Sequence, residues 1–321
     1  MNNMYCNSVF RSESDMKIFL AANSAEGFIS HFGDCYDPAD GWKAFIIKGG
    51  PGTGKSSFMK KVREKALKNN IVVDEIYCAS DPSSLDGLIL PEKKTVIMDG
   101  TSPHVVEPRL PGVCECILDF GSFWDSRILE KERDIILSLT KENKKLHKNA
   151  SRYIKAAGEV MLVELFRGKR DTRQSSEDFK SIPTVGQEGK RRNFFLGGIT
   201  PQGIKYFKNF SAEDTIYTDK AELLSLLAKT AQERGHEVIV FKNPVLPGLL
   251  TDGVYIPSLS LFAAKENPLP KEGLAFELLK LASKEIEKAK ILHDQLESFY
   301  ISAMDFEKLN TYCDKVLTEI L

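Results

Sequence analysis

The chain has 321 residues, of which 42% are hydrophobic and 28% are charged. This composition is typical of a soluble globular protein of one or two domains and excludes an intrinsically disordered chain. Lysine and arginine total 44 against 45 for aspartate and glutamate, so no net charge favours nucleic acid or an anionic membrane as a partner. No stretch approaches the ~20 apolar residues of a membrane span, and we expect a cytoplasmic protein.

The cysteines are scattered, and their spacing does not predict a metal site. Cys114 and Cys116 are close in sequence, but on a strand such residues point to opposite faces. A chelate would need two further ligands, and none is nearby in the sequence. We therefore expect reduced thiols at all positions, which are Cys6, Cys35, Cys78, Cys114, Cys116 and Cys313.

The first predicted elements lead to a glycine-rich loop. Apolar runs over Lys17 to Ala22 and Phe45 to Lys48 predict strands, and an amphipathic helix is predicted to end near Asn69. The segment between the second strand and the helix fits G-x-x-x-x-G-K-[ST] at every fixed position. Its residues are Gly49, Gly50, Pro51, Gly52, Thr53, Gly54, Lys55 and Ser56.

Each fixed position of this loop has a physical role in binding phosphate. Glycines let the backbone curl so that its N–H groups point inward, and the helix that begins near Lys55 adds its positive N-terminal dipole. Lys55 would reach the β- and γ-phosphate oxygens of a nucleotide, and Ser56 would bind Mg²⁺. The predicted binding segment extends to Ser57.

A strand over Thr95 to Asp99 ends in a carboxylate, which is the pattern of a Walker B strand and predicts Asp99 as a second Mg²⁺ ligand. Further strands are predicted over Ile71 to Cys78 and Val113 to Phe120, and Asp86 with Gly87 is interpreted as a turn. Strands separated by helical crossovers predict a parallel sheet, with the nucleotide at the carboxyl ends of the strands.

The loop after Asp99 carries candidate catalytic groups. The residue after Asp99 is Gly100, so no glutamate directly follows the predicted metal ligand to act as a base. His104 or Glu107 could orient water or accept a proton, and Arg109 could stabilise transferring charge. For each of them taken alone, a surface or turn residue is the commoner explanation.

The rest of the chain repeats the pattern of the first part. Residues 17–28 (KIFLAANSAEGF) align with 193–204 (NFFLGGITPQGI), and 86–91 (DGLILP) with 252–257 (DGVYIP). In this register Lys265 replaces Asp99, and the second copy has no glycine cradle.

These patterns divide the chain into three parts. We predict a nucleotide-binding domain with a helical appendage at 1–166, a linker at 167–192, and a degenerate domain with its own helical appendage at 193–321.

The loop and Asp99 resemble the P-loop NTPase superfamily. The tandem plan, together with the segment DGTSPHVVEPRLPG after the predicted metal strand, resembles a functionally undefined family of tandem P-loop ATPase-like proteins in Gram-positive bacteria. The resemblance implies an α/β fold made of a duplicated, parallel-sheet P-loop domain that binds ATP and Mg²⁺. It supplies no substrate, and the second half departs from it by lacking the loop.

The first functional hypothesis is a slow ATPase with one site, at which Lys55 and Asp99 act with His104, Glu107 and Arg109. One alternative is a kinase for a small hydroxyl-bearing acceptor, with Asp81 facing that hydroxyl. Another is a nucleotide-gated module that binds an unknown protein partner, and self-association is left open. Strand order discriminates between the enzymes, because a strand between the loop strand and the metal strand favours the ATPase class and direct adjacency favours the kinase class.

Overall fold

The computed structural model of the chain describes residues 16–167, 179–207, 212–218 and 220–321. Within these ranges the protein is a mixed α/β structure, with two main sheets that both contain parallel strand pairs. Cys6 and residues 168–178 of the predicted linker lie outside the described ranges. Along the described chain, no helix combines the length and the apolar composition that a bilayer span requires.

The first half of the chain builds one of these sheets. Its apolar runs form strands that are buried on both faces, as is usual for the central strands of an α/β domain. In chain order the elements are β1 Lys17–Ile18, β2 Ala21–Ser24, β3 Gly27–Ser30, β4 Lys43–Lys48, α1 Lys55–Lys68, β5 Asp74–Tyr77, β6 Leu85–Leu90, β7 Thr95–Asp99, β8 Glu115–Asp119, α2 Ser126–Lys131 and α3 Arg133–Arg167.

The strands of the first sheet lie in the order β1-β5-β6-β7-β4-β8. β4 is parallel to both of its neighbours and β1 is parallel to β5, but β6 is antiparallel to β5 and to β7. The sheet is therefore mixed and not the parallel sheet that we expected. The connections on either side of β6, residues 78–84 and 91–94, are shorter than the dozen or so residues that a parallel crossover needs.

The second half contains the other main sheet and the C-terminal helices. Its strands are short, and a hairpin formed by two of them lies beside the sheet, as β2 and β3 do in the first half. In chain order the elements are β9 Arg191–Phe194, β10 Gly197–Thr200, β11 Gly203–Tyr206, β12 Asp214–Tyr217, α4 Ala221–Glu233, β13 Val238–Lys242, β14 Thr251–Ile256, β15 Leu261–Ala264, α5 Gly273–Ala303 and α6 Phe306–Ile320.

The two sheets share one arrangement of strands. The order β12-β15-β14-β13-β9 matches β4-β7-β6-β5-β1, and the strand directions agree pair by pair. A β-bulge also recurs at the same place in both sheets. Because of it, Asp86 in β6 has no paired residue on β5, and Asp252 in β14 has none on β13. The strand registers thus relate the same positions of the two halves as the sequence alignment does. We propose that a duplication is the cause.

The two halves meet through equivalent residues. Phe19 and Phe195 exchange backbone hydrogen bonds of 2.9 Å in both directions, and both side chains are fully buried. The long helices α3 and α5 pack against each other, and the Asn143 amide donates to the Ala289 carbonyl across them. The halves therefore form a continuous structure over the described residues.

The last helix of the chain packs on the first sheet. Leu309 and Leu317 of α6 lie in one core cluster with Phe58 and Val62 of α1. Side chains beyond residue 300 therefore complete the hydrophobic core against which α1 packs. The domain boundaries proposed above remain a prediction.

We expect Leu317→Ala to lower the free energy of unfolding by about 2–5 kcal/mol, because it removes buried methyl groups and leaves a cavity. The matched control is Glu319→Ala on the exposed side of the same helix, which should change it by less than about 0.5 kcal/mol. Urea unfolding of the full chain measures both. Equal effects of the two substitutions would contradict the packing of α6 on the first sheet.

Candidate functional site

The glycine-rich loop joins the carboxyl end of β4 to the start of α1. Gly52 and Gly54 have positive φ values of 70° and 85°, a region of backbone space that disfavours residues with a Cβ. A Cβ at Gly49 would lie 2.7 Å from the Thr53 hydroxyl. The local sequence therefore needs glycine to curl in this way.

Lys55 folds back over the loop. Its Nζ donates to the carbonyls of Gly49 and Gly50, at 2.9 and 2.7 Å. The same Nζ lies 3.6 Å from the Asp99 carboxylate, and both side chains are largely buried. The structure thus brings together the predicted phosphate lysine and the predicted metal acid.

The pairing of β4 with β7 positions Asp99. Ile47 lies opposite Asp99 in this parallel pair, so the carboxylate lies next to the strand that leads into the loop. Its Oδ1 accepts hydrogen bonds from the backbone N–H and the hydroxyl of Thr101, and its Oδ2 faces Lys55. On the other side, Ser56 Oγ accepts a hydrogen bond of 3.0 Å from the Leu85 N–H. Ser56 and Asp99 therefore hold defined positions at the start of α1 and the end of β7.

His104 is buried near this site. Its Nε2 lies 3.1 Å from the Asp86 carboxylate, and its ring packs against Phe28 and Phe32. Burial alone would lower the pKa of His104, but the charges of Asp86 and Asp99 outweigh that effect and raise the pKa above its ordinary value. His104 is thus held by Asp86, and its predicted role toward a phosphate stays a prediction.

Glu107 lies beside the start of the loop but is exposed. It forms an ion pair of 2.6 Å with Lys48 Nζ, which also donates to the carbonyls of Gly100 and Val106. Lys48 thereby fastens the segment after Asp99 to the end of β4. The side chain of Glu107 is directed to this cation.

Arg109 is not brought to the loop. Its guanidinium group lies over the Tyr36 ring and 3.9 Å from Glu115, which pairs with Ala44 at the start of β4. The loop begins after Lys48, about 13 Å further along the strand. The described contacts of Arg109 therefore lie at the amino-terminal end of β4, opposite to the end that leads into the loop.

The interpretation of Asp86 and Gly87 as a turn is wrong. Both belong to β6, where Asp86 forms the bulge and is 6% exposed. A run of six buried residues with only Asp86 charged was the signal for a strand, and the DG pair obscured it. Cys78 was missed as a neighbour of this group, because only the antiparallel pairing of β5 and β6 brings it close to Asp86.

Helix α5 packs against the loop, and the Gly52 N–H donates a hydrogen bond to the Glu297 carboxylate. A Cβ at Gly50 would lie 2.8 Å from the Tyr300 ring, and one at Gly52 would lie 2.7 Å from the Glu297 carbonyl oxygen. No local sequence signal predicts these contacts, since they join residues about 250 positions apart. The loop glycines therefore serve the helix packing as well as the backbone curl.

The second half differs at the matching positions. Asp252 accepts hydrogen bonds from the Asn243 amide and the Tyr206 hydroxyl, and Lys265 follows β15 where Asp99 ends β7. A cavity of about 450 Å³ opens beside Lys265 and is lined mainly by apolar side chains. Among the described residues between β12 and α4, no glycine cradle is present.

The chain matches no protein-family model, no curated protein and no solved structure. Its function must therefore be argued from its own site. That site consists of the loop, Lys55, Ser56 and Asp99, with His104 and Asp86 beside them.

We expect stability to depend on the protonation of Asp252. Burial raises the pKa of Asp252 from an ordinary 3.8 to about 7, despite the hydrogen bonds from Asn243 and Tyr206. The folded state therefore binds the proton more tightly than the unfolded chain does. As the pH rises from about 4 to about 7, the free energy of unfolding should fall by up to about 4 kcal/mol. Above about pH 7 this residue should cause no further fall.

Denaturant unfolding across this pH range should show the fall in the original protein and not in Asp252→Asn. Asp214→Asn, at an exposed aspartate of β12, is the control and should keep the fall. If the curve of Asp252→Asn runs parallel to that of the original protein, the raised pKa is wrong.

Proposed function

We propose that the protein binds ATP with Mg²⁺ at residues 49–57 and Asp99 and transfers the γ-phosphoryl group. The favoured acceptor is a hydroxyl group of a small molecule, with water as a slow acceptor. The observation that carries this proposal is the position of Lys55, which lies between the loop carbonyls and the Asp99 carboxylate.

The loop and α1 offer the donors that a triphosphate needs. The N-terminus of this 14-residue helix presents free backbone N–H groups and the positive end of its dipole. Lys55 can exchange its two carbonyl bonds for phosphate oxygens, which are stronger acceptors because they are charged. Groups already held in place thus support the proposed binding role of the segment.

Ser56 and Asp99 fit Mg²⁺, which prefers hard oxygen ligands and keeps several waters. Thr101 orients the Asp99 carboxylate through Oδ1 and leaves Oδ2 on the side of Lys55. When bound, Mg²⁺ would neutralise charge on the phosphate oxygens. Lys55 would hold the terminal phosphate in position during transfer.

Strand order favours a hydroxyl acceptor over water. β4 and β7 are hydrogen-bonded neighbours, and this adjacency is typical of the kinase class of P-loop proteins. The residue after Asp99 is Gly100, whereas the hydrolytic class has a carboxylate at this sequence position to hold its attacking water. Both features argue against efficient hydrolysis.

Asp81 is the group that we assign to the acceptor hydroxyl. Burial alone would raise the pKa of Asp81, but hydrogen bonds from Ser83 and the charge of Lys290 keep the pKa below its ordinary value. The carboxylate is therefore ionised at neutral pH and can accept a hydrogen bond from a hydroxyl group. Lys290 of α5 lies 3.3 Å from the Asp81 carboxylate. Two helical turns further along α5, about 10 Å, Glu297 contacts the loop, so the same helix contacts both Asp81 and the loop.

A second function, a nucleotide-gated module for a protein partner, is favoured by the contact of α5 with the loop. Any shift of Gly50 or Gly52 on nucleotide binding would press on Tyr300 and Glu297. In this case ATP would bind with negligible turnover until the partner is added.

The test follows the γ-phosphate of labelled ATP with purified protein, alone and against a panel of hydroxyl-bearing metabolites. We expect label in one class of acceptor at a rate well above the release of free phosphate. Label found only in free phosphate would support the ATPase instead. Bound but unconverted ATP would support the gated module.

We expect Asp99→Asn to lower kcat about 100-fold or more while ATP affinity changes little, because the carboxylate serves transfer more than binding. Lys55→Ala should weaken ATP binding about 10- to 100-fold through the loss of charged hydrogen bonds. Kinetics and calorimetric titration measure the two effects.

Lys60→Ala, at an exposed position of α1, is the matched control and should change neither quantity. Equal loss of binding and turnover in Asp99→Asn would contradict its assigned role. Full ATP affinity in Lys55→Ala would contradict the site itself.

A further inference from the structure

Three side chains that differ in chemistry converge beside the loop. Cys78 follows β5, Asp86 forms the bulge of β6, and His104 lies after β7. Their potential ligand atoms all lie within 4.8 Å of one another, and the Asp86 and His104 atoms are 3.1 Å apart. Ligand atoms around a tetrahedral Zn²⁺ are separated by roughly 3.3–3.6 Å, as its bond lengths require. Small side-chain movements would therefore bring these three atoms to the spacing of ligands around a tetrahedral Zn²⁺.

Asp86 is the centre of the cluster, because its carboxylate faces His104 Nε2 and also accepts a hydrogen bond from the Cys78 thiol. The other ring nitrogen of His104, Nδ1, is buried without a hydrogen-bond partner among the described residues, and the residue is only 8% exposed. Because Nε2 faces Asp86, Nε2 is the ring nitrogen that would bind an ion in this cluster, and Nδ1 is not one of the ligand atoms. The rings of Phe28 and Phe32 shield the histidine, which strengthens any bond to a cation.

Cys78 is subject to opposing effects. Burial and the charge of Asp86 raise the pKa of its thiol well above the ordinary value. The backbone N–H groups of Ser80 and Asp81 face the sulfur and favour the thiolate instead. Hydrogen bonds of this kind are common at metal-bound sulfur, and a divalent cation would relieve the repulsion between the thiolate and the carboxylate.

The second half provides an internal comparison. At the positions of Cys78 and Asp86 it has Asn243 and Asp252, and Tyr206 supplies a third group. The Asn243 amide donates to both oxygens of Asp252 at 3.1 Å, and the Tyr206 hydroxyl donates at 2.8 Å. There the buried aspartate is satisfied by hydrogen bonds alone, with neither sulfur nor imidazole. The half that lacks the glycine-rich loop thus also lacks the thiol and the imidazole beside its buried aspartate.

We propose that Cys78, Asp86 and His104 bind a Zn²⁺ ion through three protein ligands. A set of sulfur, nitrogen and oxygen suits Zn²⁺ and does not suit Mg²⁺. Three protein ligands leave a fourth position for water or a substrate atom, as in catalytic zinc sites. Asp86 is next to Leu85, whose N–H bonds to Ser56, but none of the three proposed zinc ligands is among the residues that we assign to ATP and Mg²⁺.

The test uses the full chain, purified without a histidine tag, stripped with a chelator and titrated with Co²⁺ as a spectroscopic probe for the zinc site. A thiolate ligand gives Co²⁺ an intense charge-transfer absorption in the near ultraviolet. We expect this band to saturate at about one equivalent per chain and to disappear when Zn²⁺ is added. Absence of the band would overturn the proposal.

Cys78→Asn introduces the residue that the second half carries, and it should fold while binding Co²⁺ at least about 100-fold more weakly and without the band. Cys116→Ser, at an exposed thiol, and Asp99→Asn, in the proposed magnesium site, should both keep the band. If Cys78→Asn does not fold, His104→Gln decides and should weaken binding by a similar factor. A band that survives Cys78→Asn, or is lost in Cys116→Ser, would overturn the assignment.

Discussion

The parallel pairing of β4 with β7 is the constraint on which the site depends. It holds Asp99 opposite Ile47, so the carboxylate stands beside the strand that leads into the loop. Lys55 can then contact Asp99 and the loop carbonyls at the same time. The geometry follows from hydrogen bonds between buried strands, which are rigid, and not from the exposed loops around them.

The antiparallel strand β6 adds a second feature to this frame. Because it returns between β5 and β7 without a helical crossover, its bulge carries Asp86 into the space between Cys78 and His104. The second sheet keeps the same strand and the same bulge but fills the space with hydrogen bonds to Asp252. One arrangement of strands thus supports the cluster of Cys78, Asp86 and His104 in one half and a hydrogen-bonded polar network around Asp252 in the other.

Local sequence pattern was enough to predict the elements that carry the proposed phosphate site. The loop, α1, β4 and the end of β7 each have a signal within about ten residues, and the structure places them as expected. β6 was missed because a DG pair inside a buried run resembles a turn. α6 could not be assigned to the first core because its contacts there join residues about 190 or more positions apart. Arg109 lies ten residues after Asp99 in the sequence. The segment between β7 and β8 returns along β4, so Arg109 lies near Glu115 and not near the glycine-rich loop.

The most direct measurement is a crystal structure of the full chain with Mg²⁺ and a non-hydrolysable ATP analogue. We predict the triphosphate within residues 49–57, with Lys55 Nζ moved from the carbonyls of Gly49 and Gly50 to the phosphate oxygens. The second half should carry no nucleotide. Triphosphate density beside Lys265, or an analogue bound while Lys55 keeps both carbonyl bonds, would contradict a single phosphate site in the first half.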